Sequence, residues 1–165
     1  MANVNLCEEE TVQKTAEREE SAGDILFVCT GNTCRSPMAL ALCEKLGRDR
    51  GLALSCDAAG LAANPGSPMA ENAKRVLARV FGIEGFEHRA KPVTREMIEW
   101  ADLVLTVTEN HRRMLVQRFG CSEKTLTLPM EVGDPFGGDE AAYERAARAI
   151  LAGLERLADQ GVLHD

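Results

Sequence analysis

Cys29-Thr30-Gly31-Asn32-Thr33-Cys34-Arg35-Ser36-Pro37 sets a thiol and a guanidinium at the two ends of a short polar loop, with five residues between them. The loop follows an apolar run, Ile25-Leu26-Phe27-Val28, that reads as a buried strand, and it leads into a helix. Such a loop aims successive backbone N–H groups, and the positive end of the helix dipole, into one concavity that suits an anion. Thr30, Gly31, Asn32, Thr33, Cys34 and Ser36 would wrap a tetrahedral oxyanion, and Arg35 would clamp two of its oxygens with paired N–H bonds. The same positive field favours thiolate over thiol, so Cys29, which when free would titrate near ~8.5, is expected to be nucleophilic at neutral pH. The chemistry of this set is phosphoryl transfer through a phosphocysteine. A free cysteine is more often a small buried hydrophobe than a nucleophile. Here the preceding strand, the Gly31-Asn32 turn, Ser36 as an expected N-cap and Pro37 at the first helical position raise the specificity.

Phosphoryl transfer needs a proton donor for the leaving group. Asp134-Pro135 is the candidate, in the glycine-rich stretch Gly133-Asp134-Pro135-Phe136-Gly137-Gly138. Alone, an Asp-Pro in a loop reads as a turn. Beside the phosphate loop it reads as a general acid that would later activate water against the phosphocysteine.

Short apolar runs alternate with helix-length amphipathic segments from Asp24 onward, the pattern of a parallel sheet with helices on both faces. Strands are expected near 24–28, 52–58, Leu103–Val107 and Thr125–Leu128. The helices are expected near 36–49, from Ser67-Pro68 to Phe81, from a Thr94 cap through Trp100, from Glu109 to Phe119 and from Asp139 to Leu157. Met38, Ala39, Leu42 and Leu46 share one face of the first helix, and Tyr143, Ala147, Ile150, Leu154 and Leu157 one face of the last. Four parallel strands and five helices predict an α/β, flavodoxin-like doubly wound domain over residues 24–165. Its ligands would sit beyond the carboxyl ends of the strands, where the first strand delivers Cys29 and the loop after the last delivers Asp134. Residues 1–23 carry Glu8, Glu9, Glu10, Glu17, Glu19 and Glu20 with few large apolar side chains, and read as an acidic, disordered or weakly helical extension.

A chain of 165 residues suits one domain. The net charge of −7 and pI near 5.1 argue against a nucleic-acid partner, so an anionic substrate must be drawn by local groups. No apolar run approaches the ~18 residues of a membrane span, and the N-terminus lacks the regions of a signal peptide, so no membrane partner and a cytoplasmic location are expected. The six cysteines neither suggest a disulfide framework in a domain with its own core nor show zinc-ligand spacing. Cys7, Cys43, Cys56 and Cys121 read as structural thiols. No metal or organic cofactor is implied, since thiolate, arginine and aspartate complete a catalytic cycle.

The loop resembles that of the low-molecular-weight protein phosphatase family, C-x-G-N-x-C-R-S-P, and matches it at every fixed position. The resemblance runs from about Asp24 to about Leu157 through Asp57-Ala58-Ala59-Gly60, His88-Arg89-Ala90-Lys91, Ala101-Asp102-Leu103-Val104-Leu105 and Asp134-Pro135. It implies a cysteine-dependent phosphatase acting on phosphorylated proteins, with Cys29 as nucleophile, Arg35 binding phosphate and Asp134 as acid. It also implies that Asn32 holds the loop open, that the Ser36 hydroxyl stabilises the thiolate, and that His88 braces Asn32. From residue type alone, His88 equally suits a satisfied surface or turn histidine.

Two positions bear on the substrate. Tyrosine-specific members usually carry a larger aliphatic residue where Thr33 stands, and the branch that acts on phosphoarginine carries threonine; a neutral variant is the competing account of Thr33. Tyrosine-specific members also often place two aromatics after Asp-Pro, whereas here only Phe136 follows. Losing the second removes stacking worth ~1 kcal/mol, while a carboxylate at the mouth suits a guanidinium. The leading expectation is therefore a protein arginine phosphatase, with a tyrosine phosphatase of the same family second. An arsenate reductase would need a further cysteine pair in a mobile segment, and after the third strand only Cys121 remains. A catalytically silent phosphate-binding module would be expected to lack Cys29 or Asp134. Cys34, beside a reactive thiolate, is a candidate to capture oxidised Cys29 as a disulfide. Oligomeric state is not indicated.

Overall fold

The computed structural model describes residues 23–120 and 122–164. The expectations for residues 1–22 and for Cys7 and Cys121 lie outside them. Four parallel strands form the sheet: β1 (Gly23–Cys29), β2 (Leu54–Gly60), β3 (Leu103–Thr106) and β4 (Thr125–Thr127), in the order β2-β1-β3-β4. The helices are α1 (Arg35–Arg50), α2 (Glu71–Phe81), α3 (Arg95–Trp100), α4 (Glu109–Phe119) and α5 (Glu140–Asp159), with a 3₁₀ turn at Ser122–Lys124. This is the doubly wound α/β arrangement expected.

β1 has apolar side chains on both faces because both faces are covered. Ile25 and Phe27 belong to a core shared with α1, α2 and α5, while Leu26 and Val28 pack with Ile98 of α3 and Leu115 of α4. Period-2 alternation in one buried strand thus nucleates two separate cores. The α5 stripe of Tyr143, Ala147, Ile150, Leu154 and Leu157 is buried against the first of them.

The caps of three helices follow from side-chain oxygens that accept an otherwise unpaired first-turn N–H. Thr94 accepts from Met97, Thr108 from His111 and Asp139 from Ala142. Ser36, expected to cap α1, does not do so. Cys34 is the N-cap residue, without a side-chain cap bond, and Ser36 lies inside the first turn with its hydroxyl turned to the loop.

Element ends differ from expectation where tertiary bonds recruit or release backbone. β2 starts at Leu54 because the Leu52 N–H closes the α1 terminus on Gly47 O, and it runs on to Gly60, which pairs with Cys29. The second helix starts at Glu71, since Pro68 bridges to Arg89 and the Ala70 N–H is taken by Thr33 O. β3 and β4 each stop one residue early, at Thr106 and Thr127, and α5 runs two residues further, to Asp159. Gly23, expected in the extension, is the first residue of β1.

Candidate active site

The order β2-β1-β3 means the chain winds one way from β1 to β2 and the other way through β3, so a crevice opens beyond the carboxyl ends of β1 and β3. Cys29 ends β1 there, and residues 30–34 curl back over it before α1 begins. Asn32 makes the curl by adopting φ 60, a left-handed conformation that asparagine tolerates better than most residues. It is fully buried.

Neighbouring segments hold the curl. Leu61 and Ala62 donate backbone N–H bonds to Cys29 O and Thr30 O, at 2.9 and 3.0 Å, and Ala70 N–H donates to Thr33 O at 3.0 Å. The approach of 60–62 is so close that a Cβ on Gly60 would stand 2.5 Å from Thr30 O and 3.1 Å from the Asn32 Cβ. The Asp57-Ala58-Ala59-Gly60 segment therefore ends in the one residue without a side chain to fill that space.

One backbone donor sets the polarity of the whole loop. The Lys91 N–H bonds Asn32 Oδ1 at 3.0 Å, and because an N–H can only donate, the amide oxygen must face it. Asn32 Nδ2 therefore donates to Ser36 Oγ at 2.7 Å. Ser36 Oγ also stands 2.8 Å from Cys29 Sγ, and once the sulfur is ionised and can only accept, the Ser36 hydroxyl is the donor to it. The Asn32 backbone N–H adds a second donor to the sulfur at 3.3 Å. The same logic makes His88 the donor to Asn32 Oδ1, through Nε2 at 2.8 Å, so its ring carries a proton on Nε2. Burial and the Lys91 charge push its pKa down, which favours the neutral ring. His88 is thus on Asn32, rather than on a solvent-facing turn.

These donors do not bring the Cys29 thiol below its ordinary range. Burial is the largest influence and pushes it up; the Ser36 hydroxyl, the Ser36 and Asn32 N–H groups and the Arg35 charge pull the other way without offsetting it. The expectation of a thiol depressed by the loop's field is corrected here: Cys29 is 3% exposed, and desolvation of the anion outweighs the donors.

Arg35 is buried, with Nη1 donating to Val132 O at 3.1 Å and Nη2 3.7 Å from Asp134 Oδ2. Those bonds bring the segment after β4 over the loop. Asp134 is the exposed member, its side chain 57% accessible, with Oδ1 accepting the Phe136 N–H at 3.1 Å. Phe136 is 76% exposed at the rim. Gly138 keeps the turn tight, since a Cβ there would come within 2.9 Å of Pro135 O. Thr33 is half-buried, its Oγ1 3.7 Å from Cys34 Sγ, which in turn lies 3.5 Å from Tyr143 Oη. Gly31 is open toward the Thr33 hydroxyl.

Cys43 is buried in the core and Cys56 packs against it, both free thiols away from the loop. Among the described residues no group of three or more His, Cys, Asp or Glu side chains could hold a metal ion. One residue escaped the sequence reading. His111, buried in the first turn of α4, places Nε2 2.8 Å from Thr30 Oγ1. Its signal was available only in part: a histidine three residues after a capping threonine on the crevice side of β3.

Residues 24–163 match the family model for low molecular weight phosphotyrosine protein phosphatase. The chain belongs to this family. The low-molecular-weight phosphatases similar to it include a protein-arginine-phosphatase of Geobacillus stearothermophilus, 40% identical over 144 residues that cover 82% of this chain and 94% of that one. A protein-arginine-phosphatase of Bacillus subtilis is 37% identical over 145 residues, covering 83% and 95%. Among solved structures, a low molecular weight protein tyrosine phosphatase from T. tengcongensis superposes with a TM-score of 0.80 at 33% identity, covering 84% of this chain and 99% of that one. A low-molecular-weight phosphatase is a cysteine-based phosphoprotein hydrolase, and this chain is such an enzyme.

Proposed function

We propose that this enzyme is a protein arginine phosphatase working through a phosphocysteine on Cys29. The observation that carries the mechanism is the chain from the Lys91 N–H through Asn32 to Ser36, whose hydroxyl stands 2.8 Å from the Cys29 sulfur and donates to it when it is a thiolate. Cys29 attacks phosphorus as the thiolate, the S–P bond forms, and the P–N bond to the guanidinium breaks as Asp134 delivers a proton to the departing nitrogen. Arg35 and the loop N–H groups of Thr30, Gly31, Asn32, Thr33 and Cys34 hold the three equatorial oxygens. Asp134 then takes a proton from water as it attacks phosphorus, and the thiolate leaves, stabilised by Ser36. Asn32 and His88 act through Ser36 and the loop, without touching substrate.

The arginine reading is supported by Thr33, by the single rim aromatic Phe136 and by an exposed carboxylate at the mouth, and by the activity for which the Geobacillus and Bacillus relatives are named. A tyrosine phosphatase is the second reading, favoured by the fold match to the T. tengcongensis enzyme. Measuring kcat/KM on phosphoarginine and phosphotyrosine peptides, for the parent and for Thr33→Ile, separates them. The arginine reading expects a parental preference for phosphoarginine that moves toward phosphotyrosine in the variant; a parental preference for phosphotyrosine overturns it.

The same proposal includes a cytoplasmic location, which suits a nucleophile that must stay reduced alongside three other free thiols among the described residues; fractionation of cells checks it. Among the described residues no helix is long and apolar enough to cross a membrane. It includes Cys34 as redox partner: its thiol would condense with Cys29 sulfenic acid, releasing water and forming a disulfide that reductant reverses. Reversible peroxide inactivation in the parent but not in Cys34→Ala is the expected result, and equal recovery in both overturns it.

A further inference from the structure

His111 has both ring nitrogens on hydroxyls, and the two hydroxyls belong to different parts of the crevice. Nδ1 is 2.7 Å from Thr108 Oγ1, the cap of α4, which also accepts the His111 backbone N–H at 3.2 Å. Nε2 is 2.8 Å from Oγ1 of Thr30, the residue directly after the nucleophile. Thr108 is itself tied down, its carbonyl accepting from Thr106 Oγ1 at 3.1 Å at the end of β3. A rigid strand end thus reaches, through a cap and a buried ring, to an exposed side chain at the mouth of the phosphate loop.

Burial and the Arg35 charge push the His111 pKa down to about 4, while Asp134 pulls it slightly up. The ring is therefore neutral at physiological pH and carries one N–H. Two tautomers are possible, and they treat Thr30 differently. With Nε2–H donating, Thr30 Oγ1 keeps one lone pair and its own hydrogen free; with Nε2 accepting, it keeps both lone pairs. In either case Oγ1 keeps a lone pair beyond its bond to His111, on an exposed side chain of the phosphate loop directly after the nucleophile.

We propose that Thr30 Oγ1 is a specificity-determining contact that accepts an N–H of the guanidinium leaving group, and that His111 is the positioning residue that holds it there. The inference rests on the arginine reading above and adds a second acceptor to Asp134. A phosphorylated phenol has no N–H to offer at that point, so the contact rewards one substrate and not the other. Discrimination by a site built to meet a substrate donor exceeds what pocket size alone provides.

The test compares kcat/KM on a phosphoarginine peptide, a phosphotyrosine peptide and p-nitrophenyl phosphate for the parent, Thr30→Val, His111→Leu, His111→Gln and the Thr30→Val/His111→Leu double variant. Thr30→Val keeps the β-branch and removes the hydroxyl. It is expected to lower the phosphoarginine value about 10-fold more than it lowers the values on the other two substrates, the scale of one hydrogen bond. His111→Leu should show the same selective loss and His111→Gln, whose amide can reach Thr30, should restore the preference. The double variant should be no worse than either single one, because the two residues act as a unit. An unchanged phosphoarginine value in Thr30→Val, or an equal fall on all three substrates, overturns the proposal. The parent's own preference judges the arginine reading separately: a parent that prefers phosphotyrosine overturns that reading, whereas a phosphoarginine-selective loss in Thr30→Val upholds the Thr30 contact in either case.

Discussion

Replacing Ser36 by alanine removes the hydroxyl that the Lys91–Asn32 chain holds 2.8 Å from the sulfur and that donates to the thiolate. A hydrogen bond to a charged partner contributes about 1.5–3 kcal/mol, and each ~1.4 kcal/mol is tenfold in an equilibrium. Burial keeps the Cys29 thiol above its ordinary range, so at neutral pH the thiolate is the minor form and its population scales directly with the acid dissociation constant. The loss is therefore felt in full: Ser36→Ala should lower the rate of Cys29 alkylation by iodoacetamide at pH 7 by about 10- to 100-fold. The sign follows from the upward direction of the shift. Raising the pH should close the gap between variant and parent, because both approach full ionisation. Asn32→Ala should act in the same direction with a smaller effect, since the hydroxyl survives but loses its orientation. Alkylation at pH 7 within twofold of the parent, with Cys29 confirmed as the labelled site, would refute the assignment of Ser36 as the donor to sulfur.

Asp134→Asn should lower kcat on phosphoarginine by about 10²–10⁴-fold, and less on p-nitrophenyl phosphate, whose leaving group departs without a proton; steady-state kinetics on both substrates checks this. Gly60→Ala should displace the loop, because its Cβ would lie 2.5 Å from Thr30 O; kcat/KM should fall at least tenfold on every substrate, while circular dichroism at 222 nm remains that of the parent. Stability should fall as pH drops from about 6.5 toward 4. His88 and His111 have folded-state pKa values depressed below the unfolded value, so below that value the unfolded chain binds more protons. Urea midpoints across that window should fall more steeply for the parent than for His111→Gln, and equal slopes would remove His111 from the cause.

The loop, the acid and the sheet were legible because each is local: a strand ending in cysteine, a turn of small polar residues, and an Asp-Pro after the last strand. Ser36 was misread as a cap for the same reason. Its type and place before Pro37 suit a cap, and only the distant Lys91 N–H, 55 residues on in sequence, turns its hydroxyl inward. The start of α2 moved for a comparable reason, since Thr33 O claims the Ala70 N–H. The carbonyls of Cys29, Thr30 and Thr33 are likewise held by N–H groups of Leu61, Ala62 and Ala70, which spacing along the chain does not reveal. His111 was hidden because its partner Thr30 is 81 residues away.

The donor to Asn32 Oδ1 from residue 91 is a backbone group, so that bond does not depend on the Lys91 side chain. The next residue is Pro92, which has no N–H to give. A slip of one residue in the seating of 88–93 against Gly60 would bring an imide nitrogen opposite Asn32 Oδ1 and leave that amide free to turn over. Asn32 Nδ2 would then point away from Ser36, and the hydrogen aimed at sulfur would lose its direction. The length of the 61–90 connection is in this sense a component of the nucleophile: an insertion far from Cys29 that changes no residue of the crevice could silence it by shifting register alone.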